Sequence, residues 1–186
     1  MKRVFINMER CTGCKSCEIA CAGQHSKSKN LFTAIFEDPP PQTRTHVEKA
    51  LQYSYPSRCM HCIDAPCIKA CPRSAMFWDR ELERVSINKD RCIGCFMCAM
   101  ACPFGAISVR RPQRIALKCD LCGSRLREGR IPACVESCPT KALIFGEIEE
   151  LSRTKRLEMA EAIAYSKKEE PQRMNPLEAL RKMGGF

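Results

Sequence analysis

The sequence predicts an α+β chain organised around metal-bound thiols instead of a conventional apolar core, and three observations carry that expectation. Sixteen of its 186 residues are cysteine. They fall into four runs of four that alternate between two spacings. The stretches beside the runs read as short strands and helices, with apolar content spread thinly for a chain of one or two small domains.

In chain order, KRVFIN at the start reads as a strand and leads into run one, Cys11, Cys14, Cys17 and Cys21. A cysteine-free segment, 24–57, follows; its KNLFTAIF suits a short helix and its EDPPPQ a break. Run two is Cys59, Cys62, Cys67 and Cys71. MFWDRELERVSI then reads as a hairpin before run three, Cys92, Cys95, Cys98 and Cys102. Run four is Cys119, Cys122, Cys134 and Cys138, and ALIFGEI after it reads as a strand. Runs one and three share C-x2-C-x2-C-x3-C and even their approaches, INMERC and INKDRC; runs two and four share C-x2-C, a wider gap, then C-x3-C-P. The chain is an A-B-A-B internal repeat.

The spacing suits iron–sulfur cubanes. Three cysteines at two-residue intervals wrap one face of a cluster, while the fourth lies beyond easy reach and ligates another. Gly13 and Gly94 permit close backbone approach and N–H to sulfur hydrogen bonds. Pro72, Pro103 and Pro139 redirect the chain after the last cysteine of their runs; run one has Ala22 there, which leaves its exit open. Zinc prefers separated ligand pairs, and four thiols within eleven residues suit it poorly. A disulfide framework needs an oxidising compartment, and the N-terminus carries neither a signal peptide nor a twin-arginine motif. Sixteen thiols at four per cubane give four 4Fe-4S clusters, in a cytoplasmic protein whose membrane association, if any, comes through partners.

The formal charge of +10 counts the cysteines as neutral. Four oxidised clusters with their thiolates contribute about −8, which leaves the loaded chain near +2. Much of the Lys and Arg excess is then counter-charge, and the case for nucleic-acid binding weakens, since no aromatic-interleaved basic patch accompanies it. A redox sensor needs one labile cluster, not four. No phosphate loop, dinucleotide fingerprint or nucleophile constellation points to catalysis, so the chain reads as a non-catalytic electron conduit.

At these residues the chain resembles the polyferredoxin electron-transfer subunits of molybdenum or tungsten oxidoreductases, hydrogenases and carbon monoxide dehydrogenases. RCMHCIDAPCIKACP, CIGCFMCAMACPFGAI and ALKCDLC together are most similar to the carbon monoxide dehydrogenase iron–sulfur subunit, with the formate dehydrogenase, hydrogenase and dimethyl sulfoxide reductase subunits close behind. The spacing allows runs to pair in tandem or nested fashion; the resemblance implies nesting. It implies two ferredoxin-like dicluster units with long loops and a C-terminal helical tail. The clusters would be held by Cys11, Cys14, Cys17 and Cys138; by Cys21, Cys119, Cys122 and Cys134; by Cys59, Cys62, Cys67 and Cys102; and by Cys71, Cys92, Cys95 and Cys98. Residues 1–23 with 103–150 would form an outer unit, 58–102 an inner unit, 24–57 an insertion loop and 151–186 the tail. The strand-like ends, and the 20 residues between runs two and three against 37 between one and two, favour the same pairing.

Two features are not cluster ligands. His61, inside CMHC, is expected to pack or to orient neighbours, since thiols already fill every ligand place. From Glu147 the sequence turns helix-prone, with Leu157, Ala160 and Ala164 and then Met159 and Ile163 at helical spacing; Leu177, Leu180 and Met183 form a second set beyond Pro176. This tail is a candidate for docking a partner or a second copy. The expected partners are a catalytic oxidoreductase subunit, carbon monoxide dehydrogenase first and formate dehydrogenase or hydrogenase next, and a downstream acceptor protein.

Overall fold

Each cysteine run sits at a junction between a short helix and a two-stranded sheet in the computed structural model, which describes residues 1–169. Strand β1 (Lys2–Ile6) pairs with β8 (Leu143–Glu147), β2 (His46–Ala50) with β3 (Tyr53–Ser57), β4 (Met76–Asp79) with β5 (Arg84–Ile87), and β6 (Ile107–Arg110) with β7 (Ile115–Lys118). Five of the short helices lie at the runs: α1 (Ser16–Gln24), α3 (Pro66–Lys69), α4 (Met97–Ala101), α5 (Gly123–Arg127) and α6 (Ala133–Glu136). The sixth, α2 (Leu31–Ala34), falls inside KNLFTAIF, where the Asn30 side chain accepts from Phe32 N at 2.9 Å. The mixed α+β content is the expected one, and MFWDRELERVSI is the expected hairpin, with Trp78 opposite Val85.

The repeat runs deeper than the cysteines. KRVFIN of β1 and ERVSIN of β5 share an R-V-x-I-N pattern. Both end alike: Asn7 N donates to Ala142 O at 2.8 Å and Asn88 N to Ala75 O at 2.8 Å, and each asparagine side chain accepts from a backbone N–H two residues on at 3.0 Å. Left-handed backbone recurs in register with the repeat. His61 and Leu121 precede the second cysteine of runs two and four at φ of 49° and 55°; Ser74, Gly105 and Lys141 stand three residues past the last cysteine of runs two, three and four at 49°, 58° and 53°. For a residue with a Cβ this conformation costs about 1–2 kcal/mol. The sharp turn is needed to bring the following strand back across the thiols. Proline decides the exit: α4 stops at Ala101 and Cys102 is already extended before Pro103, whereas α1, with Ala22, runs on to Gln24 and so delivers His25.

Two-stranded ribbons are marginal alone, and here they close two small cores. Val4, Cys17, Leu121, Cys134 and Leu143 form one, from runs one and four and strands β1 and β8. Ala65, Cys67, Met76, Val85, Cys98, Ile107 and Ala116 form the other, from runs two and three and the hairpins β4–β5 and β6–β7. Helix α1 packs on α6, and α3 on α4. The hairpin 107–118, expected in the outer unit, thus packs in the core of runs two and three. Its counterpart 46–57, expected as insertion loop, is a regular hairpin whose Val47 packs on the first core. Each seats against the run before it. A Cβ on Gly13 would meet Ser54 Oγ on β3 at 2.8 Å, and one on Gly94 would overlap the Arg114 carbonyl between β6 and β7.

Residues Met1–Gly146 form one unit, and the described residues from Glu147 onward belong to a second. In the second, α7 (Ile148–Glu169) is a single helix with Glu149 and Glu150 in its first turn, where negative charge suits the helix dipole. The apolar set Leu177, Leu180 and Met183 lies outside the described residues. Among those described, no helix is long and apolar enough to cross a membrane.

The two left-handed glycines of runs one and three contrast with Gly105, at φ +58° with nothing within 4 Å of an added Cβ. Gly105→Ala is expected to cost about 1 kcal/mol of backbone strain alone. Gly94→Ala adds overlap with the Arg114 carbonyl and should lower the thermal midpoint of the anaerobic protein by clearly more. Equal midpoints in the two variants would remove the seating of run three on its hairpin.

Candidate iron–sulfur centre

The structure gathers all sixteen cysteines, and none forms a disulfide. Cys11, Cys14, Cys17 and Cys138 line one cavity, walled by Val47, Pro56 and Leu143. Cys71, Cys92, Cys95 and Cys98 line a second, walled by Met76, Ile87 and Ala116. Cys62 and Cys67 both lie within electrostatic reach of Cys59 and Cys102, and Cys119 and Cys122 within reach of Cys21 and Cys134. Two interactions cross between these groupings, Cys17 with Cys134 and Cys67 with Cys98.

As bare thiols several of these groups resist ionisation. Burial first pushes Cys17 and Cys122 up to about 12 and Cys67 to about 11, helped by neighbouring sulfurs at Cys17 and Cys67 and by the Asp120 carboxylate and then sulfurs at Cys122; Cys119 rises as well, through burial. A protonated thiol is no ligand, so a site of this kind works only with a cation that offsets four thiolates at once. Iron in a cubane provides that compensation, and the donor set fits it. The backbone prepares the anionic state too. Left-handed His61 and Leu121 turn their N–H groups back onto Cys59 Sγ and Cys119 Sγ at 3.4 Å each, and Ala75 N, just past left-handed Ser74, donates to Cys71 Sγ at 3.2 Å.

Four buried cations lock the two cores together reciprocally. Arg58, before run two, donates to Val4 O on β1 at 2.8 Å, while Lys118, before run four, donates to the equivalent Val85 O on β5. Arg3 on β1 donates to His61 O in run two at 3.2 Å, and its counterpart Arg84 on β5 donates to Asp120 O in run four. Arg58 is 2% exposed and Lys118 3%, and Nε and Nη1 of Arg58 have no hydrogen-bond partner among the described residues. A buried, unpaired guanidinium is costly unless an anion lies close. Arg58 acts electrostatically on Cys119 and Cys134, and Lys118 on Cys67, so each B-run cation faces thiols of the other core.

These cations escaped the sequence reading, although a signal existed. A basic residue precedes the first cysteine of every run: Arg10, Arg58, Arg91 and Lys118. The A-run pair is exposed and the B-run pair buried, which sequence spacing does not reveal. His61 takes the expected packing role. Burial first, then the surrounding Lys118, Arg58, Arg3 and Arg84, hold it neutral, and its Nδ1 accepts from Val85 N at 3.2 Å.

His25 was also missed, though it lies one helical turn past Cys21. Its Nε2 is 3.0 Å from Asp120 Oδ1, its Nδ1 is 2.7 Å from Cys21 O and 3.7 Å from Cys21 Sγ, and Arg44 Nη1 meets the other Asp120 oxygen at 2.8 Å. Burial would lower its pKa, but hydrogen bonds to Asp120 and Cys21 outweigh burial and raise it to about 9. Asp120 in turn is held well below the carboxylate range: burial works against this, and His25 and Arg44 overcome it. Burial pushes Cys21 upward, yet the His25 hydrogen bond and charge, with Arg44 N donating at 3.3 Å, leave it lowered.

The 4Fe-4S dicluster domain family matches residues 50–148, and a 4Fe-4S binding domain matches residues 8–24. The chain is 41% identical to the B subunit of the anaerobic dimethyl sulfoxide reductase of Escherichia coli (strain K12) over 154 residues, 80% of this chain and 75% of that one. It is 38% identical to an iron-sulfur protein of Rhodospirillum rubrum over 176 residues, 88% and 91% of the two chains. It is 36% identical to the electron transport protein HydN of Escherichia coli (strain K12) over 171 residues, 82% and 94%.

Because His25 gains affinity for its proton on folding, the stability it contributes is whole below its ordinary value of 6.5 and is lost as pH rises through about 9. The thermal midpoint of the anaerobic protein is therefore expected to fall between those limits, and the fall should be smaller in His25→Gln. An identical pH profile in that variant would show that the Cys21–His25–Asp120 chain is not coupled to folding.

Proposed function

The chain belongs to the 4Fe-4S dicluster family of iron–sulfur proteins, and on that premise we propose that it is the electron-transfer subunit of an oxidoreductase complex, relaying electrons through four 4Fe-4S clusters. Each cluster, when bound, supplies a one-electron centre. The chain's own residues hold those centres, supply N–H groups to the sulfurs, keep water from the buried thiols and set the surrounding charge.

The ligand sets proposed are the nested ones: Cys11, Cys14, Cys17 with Cys138; Cys21 with Cys119, Cys122, Cys134; Cys59, Cys62, Cys67 with Cys102; and Cys71 with Cys92, Cys95, Cys98. The single observation that carries this reading is the pair of cavities, one lined by three cysteines of run one with Cys138 and the other by three of run three with Cys71. The division into cores and the pairing of β1 with β8 support it. The outer unit then comprises 1–23 and 118–150 with the hairpin 46–57, and the inner unit 58–117.

For the catalytic partner we retain carbon monoxide dehydrogenase, on the motif wording of runs two to four, with an acceptor such as a hydrogenase or reductase on the other side and a cytoplasmic location. A second reading, a molybdenum-type reductase or a formate dehydrogenase or hydrogenase, draws on the 41% identity to a dimethyl sulfoxide reductase B subunit. Segment 151–186 is proposed to serve assembly in either case.

Two experiments test these proposals. Nested ligation makes Cys14→Ala and Cys138→Ala damage the same cluster, so the double variant should lose no more iron and no further electron paramagnetic resonance signal than either single one. In tandem ligation that relation would hold between Cys14→Ala and Cys71→Ala instead, and finding it there would overturn the nested sets. Anaerobic affinity purification from the native host, with mass spectrometry of what co-elutes, names the partner. Carbon monoxide dehydrogenase is the expected catch; a reductase, formate dehydrogenase or hydrogenase would keep the conduit and replace the partner.

A further inference from the structure

Between the hairpins β4–β5 and β6–β7 lies a cavity of about 310 Å³ that no cysteine lines. Six cations face it: Arg44, Arg84, Lys89, Arg110, Lys118 and Arg127. The two carboxylates in its wall are already committed, Asp79 to Arg84 at 2.9 Å and Asp120 to Arg44 and His25. Arg110 and Lys89 make no ion pair among the described residues, and Arg127 uses only its Nε, on Glu81 at 3.1 Å. Two lining residues hold buried polar atoms with no hydrogen-bond partner among the described residues, Arg44 Nε and Ser86 Oγ. Cations without a carboxylate partner in a concave, strongly positive wall are what an oxyanion would complete.

We propose that this cavity is a binding site for a small multivalent oxyanion of the phosphate type, held by Arg44, Ser86, Lys89 and Arg110 at the seam between the two cores. Balancing the charge of the clusters does not account for it. Arg58 and Lys118 meet that need from inside the protein, whereas Lys89 and Arg127 are exposed at this cavity. Lys118 and Asp120 connect the site to run four, and Ile87 and Ala116 are shared with the cavity lined by Cys71, Cys92, Cys95 and Cys98. An anion bound here adds negative charge beside the thiols of both cores, which disfavours the reduced state of nearby clusters. Occupancy would thus regulate how readily the chain accepts electrons. The inference goes beyond the proposed function and depends on neither the partner nor the ligand sets.

The test uses the intact, anaerobically prepared protein. Inorganic pyrophosphate and inorganic phosphate are titrated calorimetrically in a chloride buffer, with adenosine diphosphate as a third ligand. One saturable site is expected, tighter for pyrophosphate than for phosphate, weakened by added salt, and no tighter for the nucleotide than for pyrophosphate. Arg110→Ala and Lys89→Ala should each weaken it roughly tenfold, the loss of one charge-assisted hydrogen bond, while Lys69→Ala on α3 leaves it unchanged. Pyrophosphate should also lower one cluster's reduction potential in the wild type and leave the double variant R110A/K89A unmoved. Absence of saturable binding, binding that survives the double variant, or equal weakening by Lys69→Ala would each overturn the proposal.

Discussion

The rest of the structure depends on compensation of buried negative charge. Several of the sixteen thiols, Cys17, Cys67, Cys119, Cys122 and Cys134 among them, sit where burial holds them protonated, yet thiols are useful as ligands only when ionised. Iron offsets most of that charge, and the protein offsets the rest from fixed positions: backbone N–H groups turned onto sulfur by left-handed residues, and the buried cations Arg58 and Lys118, which make no ion pair with a carboxylate among the described residues. Features that would otherwise be costly then have a cause. Arg58, buried with two unpartnered nitrogens, and left-handed His61 and Leu121 are penalties only in the absence of the cofactor.

Compensation also explains why two small halves behave as one body. The first core contains five buried residues and the second seven, too few to hold either alone. Each half instead sends cations into the other. Arg3 and Lys118 leave the first half to bond carbonyls of the second, and Arg58 and Arg84 do the reverse. A midline held rigidly and positively charged makes the potentials of any centres on both sides respond to a shared set of charges.

Much of this was legible in the sequence. Cysteine spacing pointed to the repeat and the cofactor class, because ligand geometry tolerates little variation in spacing, and the apolar stretches KRVFIN and ALIFGEI pointed to the strands at either end. The β4–β5 hairpin was legible from MFWDRELERVSI, two strand-like stretches in the short gap between two runs. The hairpin 46–57 was not, since its alternation is weak and a proline, Pro56, lies within it. The buried cations were invisible because burial is a tertiary property: Arg10 and Arg58 occupy like places beside a first cysteine, and only the packing of the opposite half makes one a surface residue and the other a cross-brace. His25 depended on a subtler cause, the missing proline at Ala22 that lets α1 run one turn further.

The most direct measurement is hydrogen exchange on the anaerobic protein before and after iron is removed by a chelator, read at the amides of β1, β4, β5 and β8. If buried charge compensation holds the fold, protection in all four strands collapses together once iron is gone, in both cores at once. Strands that stay protected without iron would contradict the account and assign the stability to the polypeptide itself.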